Sequence, residues 1–244
     1  MRVHDGPGPT VIYLPGLHGD WGLIGAFRRA LGERVRFVEF SYSKEELSLE
    51  ALAELVHAEL TAKGVTSGWI LGQSFGSQVG WALVARGFAA DGVVLAGGFV
   101  RHPWPWGAVL FRAILAAPAW LIGPGYRAYT AVCNAAARRG ADEARELMAF
   151  AENRGPAEWR ASAWRLSLIA RADPRPVARA FRSPVHYLGG MIDPLVPWPL
   201  VTRWLQRECP GYKGEAIIRA ADHNVLGSSP RESAERVLAW LGVR

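Results

Sequence analysis

Gly68-Trp69-Ile70-Leu71-Gly72-Gln73-Ser74-Phe75-Gly76 is the stretch whose reading decides the fold. An apolar, strand-like run leads straight into G-x-S-x-G, and a helix-like stretch follows from Ser77 to Arg86. A strand that reverses sharply into a helix forces its turn residue into a strained, exposed conformation. The flanking glycines remove the Cβ atoms that would clash there. The serine hydroxyl is then presented above a sheet, at the positive end of a helix. That is where a nucleophile belongs, and the bland reading, an ordinary Gly-rich turn with a solvated serine, has to be weighed by looking for partners.

Working outward, a second strand-like run, Pro184-Val185-His186-Tyr187-Leu188-Gly189-Gly190, ends in glycines and is followed by Asp193. A third, Glu215-Ala216-Ile217-Ile218-Arg219, runs into Ala220-Ala221-Asp222-His223-Asn224 ahead of the final helix. A carboxylate and a histidine just past the C-terminal ends of strands lie on the same rim as the serine turn. The other histidines suit other duties. His57 sits in a Glu-rich helical stretch, His186 lies inside a strand, and His4 is in the N-terminal tail. His18 and His102 could line a pocket. Asp222 adjoins His223, and adjacent side chains usually diverge, so Asp193 is the better orienter. Asp173, in Ala172-Asp173-Pro174-Arg175, reads as a turn or a helix start.

The order Ser74, Asp193, His223 resembles that of the α/β-hydrolase superfamily. The resemblance runs from Thr10 to about Leu241, and includes the strand and turn Val11-Ile12-Tyr13-Leu14-Pro15-Gly16-Leu17-His18-Gly19. It implies an α/β-hydrolase fold and a catalytic set of Ser74, Asp193 and His223. It also implies an oxyanion hole made by the backbone N–H of Phe75 and one from the loop after the first of these strands. In the family a His-Gly pair commonly follows that strand. Here Pro15-Gly16 stands in its place and His18-Gly19 comes three residues later. Matching Pro15-Gly16 makes Leu17 the second donor, and matching His18-Gly19 makes Asp20 the donor. Leu17 is preferred, because the strand ends at Leu14.

The chemistry asks for these residue types. A serine hydroxyl is a poor nucleophile unless a base takes its proton during attack. Histidine suits that role because its unperturbed pKa lies near 6.5. A carboxylate on the far ring nitrogen fixes the tautomer and stabilises the imidazolium. Two N–H groups hold the charge that develops on the carbonyl oxygen. The expected function is therefore hydrolysis of a carboxylic ester or thioester through an acyl-enzyme on Ser74, with a small-molecule acyl substrate. Alternatives on the same fold are acyl transfer, C–C bond hydrolysis, a cofactor-free haloperoxidase, and a non-catalytic ligand-binding protein. Family members acting as dehalogenases or epoxide hydrolases use an Asp nucleophile, so Ser74 argues against both. The reaction asks for no cofactor and no metal. The chain has no Walker motif, no H-E-x-x-H, and a serine where G-x-G-x-x-G needs its second glycine.

The 244 residues, half of them apolar, fit one large α/β domain. Strands are expected near 10–14, 34–40, 68–72, 92–97, 184–190 and 214–219, with helices near 21–31, 45–63, 75–87, 198–208 and 229–242. This alternation predicts a mostly parallel sheet covered on both faces. Only about ten residues precede the first strand, so the N-terminal antiparallel hairpin usual in the family that the chain resembles is expected to be missing, leaving about six strands. The resemblance to the α/β-hydrolase superfamily implies that residues 1–100 and 172–244 form the core and that the long helical insertion 101–171 is a cap. Trp104, Trp106, Trp120, Trp159 and Trp164 give that segment large apolar surfaces. Trp104 and Trp106, with His18 and His102, are the candidate substrate-binding residues, although packing against the core is the commoner use of a tryptophan.

Charge is uneven. Residues 101–182 carry 13 Arg and 6 acidic side chains, against an overall net charge of +6. Such a segment could attract an anionic substrate or an acyl carrier. A coding bias, 25 Arg against 3 Lys, accounts for it equally well. Nucleic acid is not an expected partner, because the basic residues are interspersed with Glu and no recognition motif accompanies them. The N-terminus shows no apolar signal segment, and the most apolar stretch, 107–123, is interrupted by Arg112 and Pro118. A cytoplasmic protein with no transmembrane segment is the expectation. Cys133 and Cys209 have no metal-ligand spacing and predict free thiols, with one disulfide as the other possibility.

Overall fold

The computed structural model describes residues 1–104 and 155–243. Seven strands form one sheet: β1 (Arg2–His4), β2 (Thr10–Leu14), β3 (Arg36–Glu39), β4 (Ser67–Gln73), β5 (Ala89–Ala96), β6 (Val185–Gly190) and β7 (Tyr212–Ile218). Their order is β1-β3-β2-β4-β5-β6-β7. All neighbours are parallel except β1 and β3. The described helices are α1 (Gly25–Leu31), α2 (Leu49–Ala62), α3 (Gly76–Ala85), α4 (Pro156–Arg171), α5 (Arg175–Ala180), α6 (Trp198–Glu208), α7 (Val225–Ser228) and α8 (Pro230–Trp240).

Side chains alternate across a strand, and both faces of this sheet are covered. Ile12, Leu14, Ile70, Val93 and Leu95 point to one side and pack with Leu52, Val56 and Leu60 of α2, Val79 and Leu83 of α3, and Leu166 and Ile169 of α4. Val11, Tyr13, Phe37, Leu71 and Val94 point to the other and pack with Phe27 and Leu31 of α1 and Val237 and Leu238 of α8. None of the described helices is long and apolar enough to cross a membrane.

Two expectations are corrected. Among the described residues the sheet has seven strands where about six were expected, and the extra member is an N-terminal strand antiparallel to β3. Arg2-Val3-His4 is too short to show an alternation. It pairs because β3 offers an open edge, and the buried Glu39 carboxylate at the end of β3 lies 3.3 Å from His4 Nε2. Helix boundaries also move. α2 starts at Leu49 because Ser48 Oγ accepts from Ala51 N–H at 3.1 Å, a side-chain cap. The final helix expected at 229–242 is α8, with Pro230 at its first position, and the short α7 precedes it outside that range.

Chain order and strand order together place the site. From β2 the chain moves outward to β3, then returns to lay β4 on the other side of β2. The C-terminal ends of β2 and β4 therefore flank a topological switch point, where open α/β sheets bind ligands. The segments carrying Leu17, Ser74, Asp193 and His223 all follow C-terminal ends of strands.

Candidate active site

Ser74 sits between the last residue of β4 and α3 with φ of 49°, the sole positive φ at a non-glycine among the described residues. A non-glycine in this region is held there by its surroundings. The surroundings are the backbone contacts of its flanking glycines. A Cβ on Gly76 would lie 2.0 Å from the Leu14 carbonyl oxygen, and one on Gly72 would lie 2.7 Å from Ser77 Cα. Both close approaches let α3 start directly over β2 and β4. Ser74 N–H donates to the Ala96 carbonyl at 3.0 Å, which ties the turn to the end of β5.

The hydroxyl meets its expected partners. His223 Nε2 lies 2.9 Å from Ser74 Oγ. His223 Nδ1 lies 2.8 Å from Asp193 Oδ2. The Asp193 side chain is fully buried, and its other oxygen accepts from Leu195 N–H at 2.8 Å and Val196 N–H at 2.9 Å. Asp222, the rival carboxylate, accepts from Asn224 N–H at 2.9 Å.

Protonation follows from this arrangement. Burial works to lower the pKa of His223, but the charge and hydrogen bond of Asp193, aided by the charge of Asp222, outweigh it and hold the imidazole above its ordinary value. Burial works to raise the pKa of Asp193, and it is overcome by the charge and hydrogen bond of His223 and by the two backbone N–H donors, so the carboxyl lies below its ordinary value. The pair is built to favour carboxylate and imidazolium together.

The loop after β2 comes against the serine turn at Gly16, whose added Cβ would lie 3.5 Å from Ser74 Cβ. Leu17 follows immediately, while Asp20 uses Oδ1 to accept from Gly22 N–H at 2.8 Å. Among the described residues neither the Leu17 nor the Phe75 N–H donates to a protein acceptor. The structure thus brings together Ser74, Asp193, His223, Leu17 and Phe75.

The candidate substrate-binding residues are more dispersed. His102 stands edge-on to Phe99, with ring centroids 4.9 Å apart, and its Nδ1 engages the Trp104 backbone. Burial lowers its pKa, the charge of nearby His223 adds to that, and the carbonyls of Trp104 and Leu195 and the Asp193 charge oppose it. His102 therefore belongs to the same rim. Trp104 is 57% exposed, and His18 meets Trp159 edge-on. Trp106 and Trp120 lie outside the described residues. Trp164 packs on the core and donates from Nε1 to the Leu47 carbonyl at 2.8 Å, the bland role expected of most of these tryptophans. Cys209 is buried and unbridged, and Cys133 lies outside the described residues.

Several supporting residues carry no sequence signal of their own. Tyr13 hydroxyl donates to Gln73 Oε1 at 2.5 Å, and Gln73 Nε2 donates to Asn224 Oδ1 at 2.6 Å. Gln73 precedes the serine and Asn224 follows the histidine, so this chain ties the two loops beneath the site. On α3, Ser77 Oγ accepts from Phe99 N–H at 3.1 Å, and Gln78 Nε2 donates to the carbonyls of Phe99 and Val100 at 3.0 and 2.7 Å. Position beside the motif could have flagged Gln73 and Ser77. Nothing in the sequence separates the buried Arg165 from its Arg-rich surroundings.

The fold and the rim of site residues define an α/β hydrolase. The sequence matches the model of the Alpha/beta hydrolase family over residues 11–236, and the chain belongs to that family. A hydrolase from Pseudomonas aeruginosa PA01 is similar at 17% identity and a TM-score of 0.80, over 99% of this chain and 93% of that one. A thermophilic esterase from Thermogutta terrifontis is similar at 20% identity and a TM-score of 0.79, over 99% and 92%. The enol-lactonase from Burkholderia xenovorans LB400 is similar at 19% identity and a TM-score of 0.77, over 99% and 95%. At these identities the likeness establishes the fold. No curated protein sequence matches the chain.

Proposed function

We propose that the protein is a serine hydrolase that cleaves a carboxylic ester or thioester through an acyl-enzyme on Ser74. The observation that carries this is the hydrogen-bonded line Ser74 Oγ, His223 and Asp193, at 2.9 and 2.8 Å, with the serine on a strained turn. Ser74 Oγ attacks the acyl carbon while its proton passes to His223 Nε2. Asp193 holds the Nδ1–H tautomer and stabilises the imidazolium. The Leu17 and Phe75 N–H groups donate hydrogen bonds to the carbonyl oxygen as it takes up negative charge. Collapse expels the alcohol or thiol, which takes the proton from His223, and water repeats the sequence to release the acid.

Likeness to an esterase and an enol-lactonase supports an ester as the substrate. The 101–171 segment is proposed as a cap that selects it, with His102 near the reacting groups and the Arg excess favouring anionic acyl groups. A fluorophosphonate probe tests the reading. The native protein should be labelled on Ser74, and Ser74→Ala should not. A folded native protein that resists labelling, and turns over no p-nitrophenyl ester or acyl thioester in a broad panel, would sink the proposal.

A further inference from the structure

Arg165 is an arginine on α4 with only 3% of its surface exposed. A buried guanidinium needs partners, and two of the partners here are on the site's rim. Nη1 donates to the Leu17 carbonyl at 2.8 Å, and Nη2 donates to the Ser43 carbonyl at 2.7 Å. Its Cζ stands 5.6 Å from the centre of the Tyr42 ring. One planar fork therefore joins the loop after β2 to the loop after β3, with an aromatic face against the cation.

The loop after β2 is held on both sides of Leu17. The Gly16 carbonyl shares a peptide plane with the Leu17 N–H, and it accepts from Gly19 N–H at 2.9 Å. The next plane carries the Leu17 carbonyl, held by Arg165. Gly19, at φ of 78°, lies so close that a Cβ would sit 2.5 Å from the Arg165 guanidinium. Its carbonyl accepts from Tyr42 N–H at 2.8 Å. The Tyr42 ring in turn meets Phe75 edge-on, with centroids 6.1 Å apart. The same side chain thus touches the residue that would donate one oxyanion bond and, through Tyr42, supports the residue that would donate the other.

We propose that Arg165 is a positioning residue for the oxyanion hole. It fixes the turn that aims the Leu17 N–H, and α4 carries it there. α4 is anchored by Leu166, Leu168 and Ile169 in the core and by an ion pair from Glu158 to Lys44. This inference rests on the serine-hydrolase reading. Lysine cannot replace it fully, because one ammonium does not reach two carbonyls as a flat fork while lying on a ring.

The test uses diethyl p-nitrophenyl phosphate and its P=S analogue. Both phosphorylate a serine by the same steps. Oγ bonds to phosphorus, p-nitrophenolate leaves, and the serine proton passes to the base. Oxygen accepts the two N–H bonds well and sulfur accepts them poorly, so the ratio of the two inactivation rates reports oxyanion-hole alignment. Arg165→Met should slow the P=O reagent by about 10- to 100-fold, because a displacement on the order of 1 Å in a positioned group has that effect. It should slow the P=S reagent much less, so the ratio shrinks. Arg165→Lys should fall between. If Arg165→Met does not fold, Arg165→Lys carries the comparison with the same expected direction. A folded variant with the wild-type ratio overturns the positioning role, even if both rates fall equally. Failure of the underlying reading looks different: the wild type is inert to both reagents, or Ser74→Ala reacts as fast as wild type.

Discussion

Asp193→Asn is the sharpest perturbation of the proposed site, because the geometry dictates what the amide must do. The wild-type carboxylate accepts three hydrogen bonds, from His223 Nδ1–H on one oxygen and from the Leu195 and Val196 N–H groups on the other. Asparagine has one acceptor oxygen. Keeping both backbone donors satisfied turns its NH₂ toward His223 Nδ1. That nitrogen must then accept, so the ring proton moves to Nε2, which faces Ser74 Oγ at 2.9 Å. A protonated Nε2 cannot take the serine's proton. Turning the amide the other way sets its NH₂ against two buried N–H groups, which costs about 1–3 kcal/mol for each donor left unpaired.

The wrong tautomer in a Ser-His-Asp site lowers kcat by about 10⁴-fold. That corresponds to about 5.4 kcal/mol of transition-state stabilisation. The assay is steady-state hydrolysis of a p-nitrophenyl ester, with unfolding in urea as a control for stability. Asp222→Asn is the companion variant. Its carboxylate bonds to the Asn224 N–H and acts on His223 through its charge, so its loss should lower kcat by less than about 10-fold. An Asp193→Asn enzyme within 10-fold of wild type would refute the tautomer argument. A larger loss for Asp222→Asn would reassign the orienting carboxylate.

Other outcomes follow from the same geometry. Ser74→Gly and Ser74→Ala should both be inactive, but the glycine variant should be the more stable by about 1 kcal/mol in urea unfolding, because only alanine keeps a Cβ at a φ of 49°. Equal stabilities would mean that the turn is unstrained. Gly76→Ala should destabilise by about 3 kcal/mol or more, since its Cβ meets the Leu14 carbonyl at 2.0 Å and backbone has little room to yield. Wild-type stability there would disprove the close approach. Gln73→Leu should destabilise by about 2–4 kcal/mol, because it strands the buried Tyr13 hydroxyl and the Asn224 amide oxygen. A loss below about 1 kcal/mol in a denaturant titration would show that these groups find other partners. Activity should rise with pH through a pKa above the ordinary histidine value of 6.5, since the base must be neutral and Asp193 favours its charged form. The linked stability has the opposite sign. Raising the folded pKa of His223 stabilises the fold fully below the unfolded value and this is lost as pH rises through the folded value. The lowered Asp193 contributes above its unfolded value and is lost as pH falls through its folded one. An activity profile with its limb below pH 6 would contradict the raised histidine.

The elbow was legible in sequence because its glycines answer to backbone contacts that any such turn must make. The carboxylate and histidine were legible because each follows the C-terminal end of a strand-like run, 184–190 and 215–219, which puts it on the serine's rim. β1 was not legible. Three residues with a single apolar member, Val3, show no period, and their strand exists because a neighbouring edge is free. Arg165 was hidden for another reason. It stands in a segment with 13 Arg among residues 101–182, where one buried guanidinium looks like any solvated one. Burial is decided by where α4 docks, and docking is a long-range property that no local pattern reports. The same holds for Gln73 and Asn224, which are 151 positions apart in the chain and 2.6 Å apart in space.

The division of labour between sheet and loops explains what kind of precision each supplies. The sheet fixes strand ends at the spacing of backbone hydrogen bonds, which is enough to bring Ser74, Asp193 and His223 to one rim. It is not enough to set a proton-transfer distance, because the loops between strand and side chain retain torsional freedom. That freedom is removed by cross-links to the loops: Gln73 to Asn224 beneath the serine and histidine, Ser77 and Gln78 of α3 to the chain after β5, and Arg165 of α4 across the loops after β2 and β3. Most of these cross-links involve side-chain groups that are largely shielded from water, where an unmade bond is expensive. A loop that drifted would therefore leave buried donors unpaired, and the rim is held by the cost of that alternative as much as by the strength of each bond.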